Sequence, residues 1–267
     1  MRRYQFTLDQ HRKIKEYTDT LGVPFMATAH DFERVDFLVD IGAEAVKIAS
    51  PDIVHLPLIR YAAKSGLVLF LDTGGAYQHE VEMTVRIARN AGCEKLVVNH
   101  NPTGHPAPAE THDLRIIPRL KELFDCPVGL SDHYDGYEMA YLAVAMGANS
   151  IEKPISEDRF IKECEHIWAI SRADLAGVIG NIRKAYLALG KAAREGPGSR
   201  PESPHRVALV AGRDLRPGDL ISTETIRFGK PRMGIGVEHW DMIEGWTMTR
   251  PVTEGGYIQW GDIEPKP

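Results

Sequence analysis

Ala45-Val46-Lys47-Ile48-Ala49-Ser50 is a nearly continuous apolar run that ends in a hydroxyl and carries one lysine inside it. A strand covered on both faces of a parallel sheet reads this way, because neither face meets water and the usual alternation disappears. Outward from it, similar runs recur near 24–29, 67–72, 95–100, 127–132 and 149–153, each closing in polar residues. Amphipathic stretches near 33–41, 53–64, 77–91, 112–124 and 136–146 predict the intervening helices, and a longer helix is expected near 171–190. One more helix precedes the first strand: Thr7-Leu8-Asp9-Gln10 is a capping box, and Leu8, Ile14, Tyr17 and Leu21 share a face before Gly22 ends it. Strand, helix, strand at this rhythm predicts an α/β chain of βα units, a (β/α) TIM-type barrel lacking its first two βα units. An open doubly wound sheet is the alternative that periodicity leaves standing.

The barrel is expected to occupy residues 1–189. Residues 190–205 are crowded with Gly, Pro and Ser and read as a linker. Beyond it, Val207-Ala208-Leu209-Val210, Asp219-Leu220-Ile221 and Tyr257-Ile258-Gln259-Trp260 are short β runs between turns, which predicts a small β-rich domain over 206–267.

A net charge of −5 and the lack of a dinucleotide glycine fingerprint argue against a nucleic-acid or dinucleotide partner. Small anions remain compatible, since a local cluster of cations outweighs a mildly acidic whole. Cys93, Cys126 and Cys164 have neither disulfide nor zinc-knuckle spacing, and no apolar run approaches a membrane span or a signal h-region. The expectation is a soluble cytoplasmic protein with no membrane partner.

The chemistry-bearing residues gather where strands end. Lys47 needs an anion: a ligand phosphate or carboxylate aided by the Ser50 hydroxyl, or else a barrel carboxylate. Asp72-Thr73-Gly74-Gly75 is either a phosphate cradle, its glycines letting amides approach, or an ordinary βα turn. His100 and His133 close two strands and suit a metal ligand, an acid, a base or a structural hydrogen bond. Asp132 either orients His133 or caps the next helix. Glu152-Lys153 and Glu165-His166 either line the same pocket or are solvated pairs. Lys230 and Arg232 flank Pro231 in a basic loop, suited to reaching over a neighbouring site or simply exposed.

Taken in order, Asp36-Phe37-Leu38, Lys47-Ile48-Ala49-Ser50, Pro57-Leu58-Ile59, Thr73-Gly74, Pro106-Ala107-Pro108, Pro127 through His133 and Ile151-Glu152-Lys153 resemble the sialic acid synthase family. Asp214-Leu215, Pro217-Gly218 and Gly234-Ile235 are similar to the β-clip-like antifreeze (SAF) domain that ends those enzymes. The resemblance implies condensation of phosphoenolpyruvate with an N-acetylhexosamine such as N-acetylmannosamine to a nonulosonic acid, with release of phosphate. It also implies a divalent metal, Mn²⁺ or Mg²⁺, activating the sugar aldehyde as a Lewis acid. By motif, Lys47, Ser50 and Thr73 would hold phosphoenolpyruvate; Asp52, Glu152 and Glu165 fall at catalytic or sugar-contacting positions; and His133 falls at a metal position. Thr103 and His105, from the loop before Pro106, and Lys230 and Arg232 would meet the sugar. The last pair would come from the partner of a domain-swapped homodimer.

The sequence departs from the family at telling places. The second metal histidine, expected after Glu152-Lys153, is Pro154, and the family's Asn-x-Tyr-Pro is Thr103-Gly104-His105-Pro106. Proline has neither a side-chain donor atom nor an N–H. Either His105 or His100 is expected to replace the lost ligand. A catalytically impaired homologue that keeps only an anion or sugar site is the alternative, as is a shortened chain needing N-terminal strands from elsewhere.

Overall fold

Thr7 opens α1 (Leu8–Thr20): its hydroxyl accepts from the Gln10 amide at 3.2 Å, and the Gln10 side chain accepts from the Thr7 amide at 2.8 Å. In this computed structural model, residues 5–162, 165–192 and 205–266 are described. After α1 come β1 (Met26–Thr28), α2 (Phe32–Asp40), β2 (Ala45–Ile48), α3 (Leu56–Ala63), β3 (Val68–Asp72) and α4 (Gln78–Asn90). They are followed by β4 (Leu96–His100), α5 (Ile116–Phe124), β5 (Val128–Ser131), α6 (Glu138–Ala145) and β6 (Ser150–Glu152). Gly42 and Gly92, with φ of +69° and +96°, stop α2 and α4 in the left-handed region that glycine enters without steric cost.

All six strands are parallel and lie in sequence order, β1-β2-β3-β4-β5-β6. A doubly wound sheet reverses its order at a switch point, so the alternative kept open by periodicity is excluded. The sheet is also rolled. β2 and β6 stand four strand positions apart, about 19 Å in a flat sheet at roughly 4.8 Å per strand, yet Lys47 and Glu152 form an ion pair. No lysine and glutamate bridge such a span unless the sheet curls. Among the described residues β1 and β6 do not pair with each other, so the sheet is an arc of a (β/α) barrel.

Ile48, Leu69, Leu71 and Leu130 from the strands, with Leu58, Ile59 and Ile117 from the helices, are completely buried in one cluster. At about 1.5–3 kcal/mol for each buried aliphatic side chain, this layer anchors the arc. It leaves the C-terminal strand ends as the place where polar side chains collect.

Beyond β6 the prediction needs correcting. Two short parallel strands, β7 (Ile155–Ser156) and β8 (Ile170–Ser171), precede α7 (Leu175–Leu189). The Ile170 and Arg172 amides donate to the Pro154 and Ser156 carbonyls at 2.8 and 3.0 Å, which takes residues 170–172 out of the predicted helix. Ser171 then accepts from the Asp174 amide at 3.1 Å, just ahead of α7.

The chain divides into two units, Met1–Gly190 and Lys191–Pro267. Most of the expected linker, 193–204, lies outside the described residues, as does Cys164. In the second unit β9 (Ala208–Ala211) pairs antiparallel with β10 (Ile226–Gly229). A four-residue helix, α8 (Trp240–Ile243), precedes β11 (Thr247–Met248), which pairs with β12 (Ile263–Glu264). The run at 219–221 makes only a single bridge, Leu220 with Thr247, and Tyr257 bridges Val210 while Trp260 begins a short 3₁₀ turn. Leu209, Leu215, Ile221, Ile235, Ile243 and Ile258 fill this unit's own core. No helix among the described residues is long and apolar enough to cross a membrane.

Candidate active site

The C-terminal strand ends of the arc open onto a cavity of about 650 Å³. Lys47, Ser50, Thr103, His105, His133, Glu152 and Glu165 all line it, drawn from five separate strand ends and loops. Register explains part of this. Asp72 on β3 pairs with Asn99 on β4, Asn99 with Gly129 on β5 and Gly129 with Ser150 on β6, while Ser131 pairs with Glu152 two residues further along, so polar residues occupy two successive rows at the C-terminal end of the sheet.

Lys47 is held by two carboxylates, Asp72 at 3.2 Å and Glu152 at closer range. Its carboxylate-paired alternative is therefore the arrangement present. Burial opposes the ammonium charge, but Asp72 and Glu152 more than offset it and raise the Lys47 pKa above the ordinary lysine value. Asp72 also accepts from Asn99 Nδ2 at 3.0 Å. Glu152 uses one oxygen on Lys47, while its buried Oε2 has no donor among the described residues.

Opposite this triad the turn after β3 approaches closely. The Gly74 amide donates to Ser50 Oγ at 3.0 Å, and a Cβ at Gly74 would stand 2.8 Å from that oxygen. Thr73 is not among the lining residues: its hydroxyl donates to the Asn99 carbonyl at 2.8 Å and its amide to Asn101 Oδ1 at 2.9 Å. Nor is Asp52, which pairs with the exposed His30 at 2.6 Å.

The histidines separate into two groups. His133 lies against His105, ring centres 4.3 Å apart, with Trp168 edge-on to both. Burial, helped by the nearby His105, lowers the His133 pKa, although Glu165, Asp132 and Asp72 oppose the shift. Its buried Nδ1 has no hydrogen-bond partner among the described residues. His100, by contrast, lies outside the cavity lining, its Nε2 2.6 Å from the His112 carbonyl oxygen. The expectation that it serves as a metal ligand beside His133 is corrected: the strand end turns its ring into the protein, where burial is the main cause of its lowered pKa.

Asp132 neither orients His133 nor caps a helix. It accepts from Lys153 Nζ at 2.9 Å and from the Tyr134 amide at 2.9 Å, with His112 Nε2 at 3.4 Å. Burial alone would raise its pKa; the His112 contact, the Lys153 charge and the Tyr134 amide together lower it. Lys153 shifts down, because burial outweighs its attraction to this one carboxylate. Both shifts are downward, so they favour the charged form of Asp132 but disfavour that of Lys153, in keeping with the greater number of partners around Asp132. Of the pair Glu152-Lys153, expected either to line the pocket or to be solvated, both residues line it; His112 and Asn101 were not expected at the site, since neither carries a local sequence signal of its contacts.

Among the described residues, no three His, Cys, Asp or Glu side chains converge as a cation cage. The donors that fit a divalent ion are His133 and His105, with Glu165 also on the cavity lining. Pro154, on the cavity lining, accepts the Ile170 amide at its carbonyl. In the second unit Arg232 pairs with Glu238 at 2.6 Å, and Lys230 lies two residues before it.

Fold and site define a (β/α)-barrel protein with a polar ligand cavity at its strand ends, joined to a small β unit. The chain belongs to the NeuB family, whose model matches residues 1–194, and a SAF domain model matches residues 206–264. It is 30% identical over 257 residues to an uncharacterized protein of Methanocaldococcus jannaschii, covering 96% of this chain and 76% of that one. It is 29% identical to the N,N'-diacetyllegionaminic acid synthase of Legionella pneumophila, over 96% of this chain and 74% of the relative. The N-acetylneuraminic acid (sialic acid) synthetase of Leptospira borgpetersenii, solved with citrate, superposes with a TM-score of 0.69 at 31% identity, over 73% of this chain and 68% of that one. The resemblance to sialic acid synthases and the barrel-plus-SAF architecture both hold.

Proposed function

We propose that the chain condenses phosphoenolpyruvate with the aldehyde of an amino sugar to form a nonulosonic acid. The enolpyruvate methylene carbon forms a bond to the aldehyde carbon, whose oxygen takes up a proton. Water adds to the enol carbon, and the phosphate leaves from it. Lys47 carries this reading. It is a cation inside a strand, at the mouth of a barrel arc, and Glu152 is a partner that an incoming carboxylate or phosphate can replace. The Ser50 hydroxyl and the Gly74 amide, already joined to each other, are donors for the same anion. Citrate, found with the Leptospira relative, is a polycarboxylate of similar character.

Glu152 Oε2 lacks a donor among the described residues and is suited to orient the attacking water and accept its proton. Thr103, His105 and Glu165 face the sugar. Asp52, tied to His30 outside the lining, meets only a sugar long enough to leave the cavity. Lys230 and Arg232 are assigned to the sugar's N-acetyl end from a partner subunit, and size-exclusion chromatography tests for that homodimer. A divalent ion, when bound, polarises the aldehyde oxygen.

One observation favours a second reading, a homologue that binds without turnover: Lys47 is already neutralised by two carboxylates, so an anion must displace one of them. Phosphate release from phosphoenolpyruvate over a panel of N-acetylhexosamines, with Mn²⁺ or Mg²⁺, decides between the two. Sugar-dependent release supports the synthase, and saturable phosphoenolpyruvate binding without release supports the alternative.

A further inference from the structure

His112 sits behind the cavity rather than on its lining, its side chain 2% exposed, and the proposed chemistry does not use it. It stands at the root of the segment that carries Thr103 and His105. The Thr111 hydroxyl is shared between the Thr103 and Pro108 carbonyl oxygens, both at 2.9 Å, and closes that segment on itself. The Ala107 amide donates to the His133 carbonyl at 2.9 Å and pins its middle to the end of β5. His112 supplies the third attachment.

Both nitrogens of its ring face acceptors. Nδ1 lies 2.9 Å from the Pro108 carbonyl oxygen, which cannot donate, so this nitrogen carries a proton. Nε2 lies 3.4 Å from Asp132 Oδ1, and that contact is attractive only when Nε2 is protonated too. The carboxylate is not the donor: its Oδ1 already accepts from the Tyr134 amide and its Oδ2 from Lys153 Nζ, both at 2.9 Å. The ring is therefore an imidazolium, and with Lys153 it forms a buried triad of two cations on one carboxylate. Tyr134 stands edge-on to the ring, centres 5.7 Å apart, and His100 Nε2 donates to the His112 carbonyl at 2.6 Å. Charge-assisted contacts are roughly twice as strong as neutral ones, so this is the firmest of the three attachments.

We infer that His112 is a positioning residue: protonated on both nitrogens and clamped to Asp132, it holds the segment carrying Thr103 and His105 against the ends of β5 and β6. Asp132 belongs to the end of β5, and Lys153 extends the tie to the end of β6. The sugar-facing side of the cavity is thus set from behind by a buried triad that touches no substrate. That Thr103 and His105 meet a sugar rests on the proposed synthase reading; the tie itself does not.

Nitrogen NMR of the full chain, labelled in its histidine rings and held at neutral pH, reads ring protonation; the His112 signals are those lost in His112→Gln. Both His112 nitrogens are expected to carry protons. Two isosteres then separate the contacts. His112→Gln places an amide N–H near the Nε2 position and keeps Asp132 as its partner, whereas His112→Asn places one near the Nδ1 position and keeps only Pro108. Hydrogen exchange over residues 103–112, read by mass spectrometry, is expected to stay near native in His112→Gln and to accelerate about tenfold or more in His112→Asn, with β1 to β3 unchanged. His112→Asn is also expected to raise the KM for the sugar about tenfold and that for phosphoenolpyruvate less than about twofold. Circular dichroism verifies folding, and if His112→Asn does not fold the nitrogen spectra of the native chain still decide. A neutral His112 ring, equal protection of 103–112 in the two isosteres, or acceleration spread over the whole barrel overturns the inference. Loosening confined to 103–112 in His112→Asn, with no phosphate release by the native chain over the N-acetylhexosamine panel, upholds the tie and removes the synthase reading. Phosphate release with equal protection in the two isosteres does the reverse.

Discussion

Lys153 Nζ lies 2.9 Å from Asp132 Oδ2, and neither side chain is more than 2% exposed. The pair joins the end of β5 to the end of β6, and Lys153 also donates to the Tyr134 carbonyl at 2.7 Å. Its stability is conditional: both charges have given up water, and each depends on the other's presence. Asp132→Asn leaves the ammonium buried without its counter-charge and is expected to destabilise the barrel unit by about 3–5 kcal/mol. Adding Lys153→Met should recover most of that loss. Urea unfolding followed by circular dichroism measures both, and a double variant as unstable as the single one would contradict this account.

Lys47→Met removes the one cation shared by Asp72 and Glu152. Charge-assisted hydrogen bonds contribute about 1.5–3 kcal/mol, so phosphoenolpyruvate affinity should fall roughly 10- to 150-fold. Lys47→Arg keeps the charge but not the compact ammonium, and should retain part of the binding. Isothermal titration reads the three affinities; unchanged binding by Lys47→Met would remove this residue from the anion site.

Glycines at two places test how tightly the strand ends pack. At Gly129 a Cβ would collide with the Asn99 and Ser150 side chains on the two neighbouring strands, and Gly129→Ala should cost about 1–3 kcal/mol in stability. At Gly74 the nearest atoms are Ser50 Oγ at 2.8 Å and Asn101 Cβ at 3.1 Å, both lining the cavity. Gly74→Ala is therefore expected to weaken phosphoenolpyruvate binding several-fold, about 1 kcal/mol, with a smaller change in melting temperature. Equal effects of the two variants on stability and no effect on binding would argue against an anion cradle.

His100 gives the fold a pH dependence of definite sign. Burial is the main cause of its lowered pKa, the neighbouring His112 also disfavouring charge while the hydrogen bond to the His112 carbonyl opposes the shift. The unfolded chain, with an ordinary value of about 6.5, thus takes up the proton first as pH falls. Stability should be full above that value and decline as pH drops from it toward the folded value; His133 adds a shift of the same direction. Melting temperatures from about pH 8 to 5 should fall, and the slope should be shallower in a folded His100→Gln variant. A melting temperature that rises over this range would reverse the assignment.

Much of the barrel was legible because its signals are local. The capping box at Thr7, the apolar strand runs and the glycines after helices depend on near neighbours in sequence, and each element formed within a few residues of its predicted place. The short parallel pair β7 and β8 was not legible, since two-residue strands have no periodicity and depend on hydrogen bonds to Pro154 and Ser156. In the C-terminal unit, Asp219-Leu220-Ile221 has strand-like composition, yet it forms an isolated bridge, Leu220 with Thr247, with backbone hydrogen bonds to Trp246 and Met248 on either side, and not a full strand.

The residue types at the strand ends were determined by the sequence alone: a lysine in an apolar run, a Gly-Gly turn, three histidines, and proline at 154. Their partners were decided only by the curl of the sheet. Lys47 and Glu152 are 105 residues apart, and their pairing requires closing an arc across four strand positions. Ring direction likewise was settled in three dimensions, His133 turning to His105 while His100, at a similar strand end, turned inward to His112. The physical reason is the same in each case: chain composition sets which groups need a partner when buried, but the rolled backbone sets which partner is within reach.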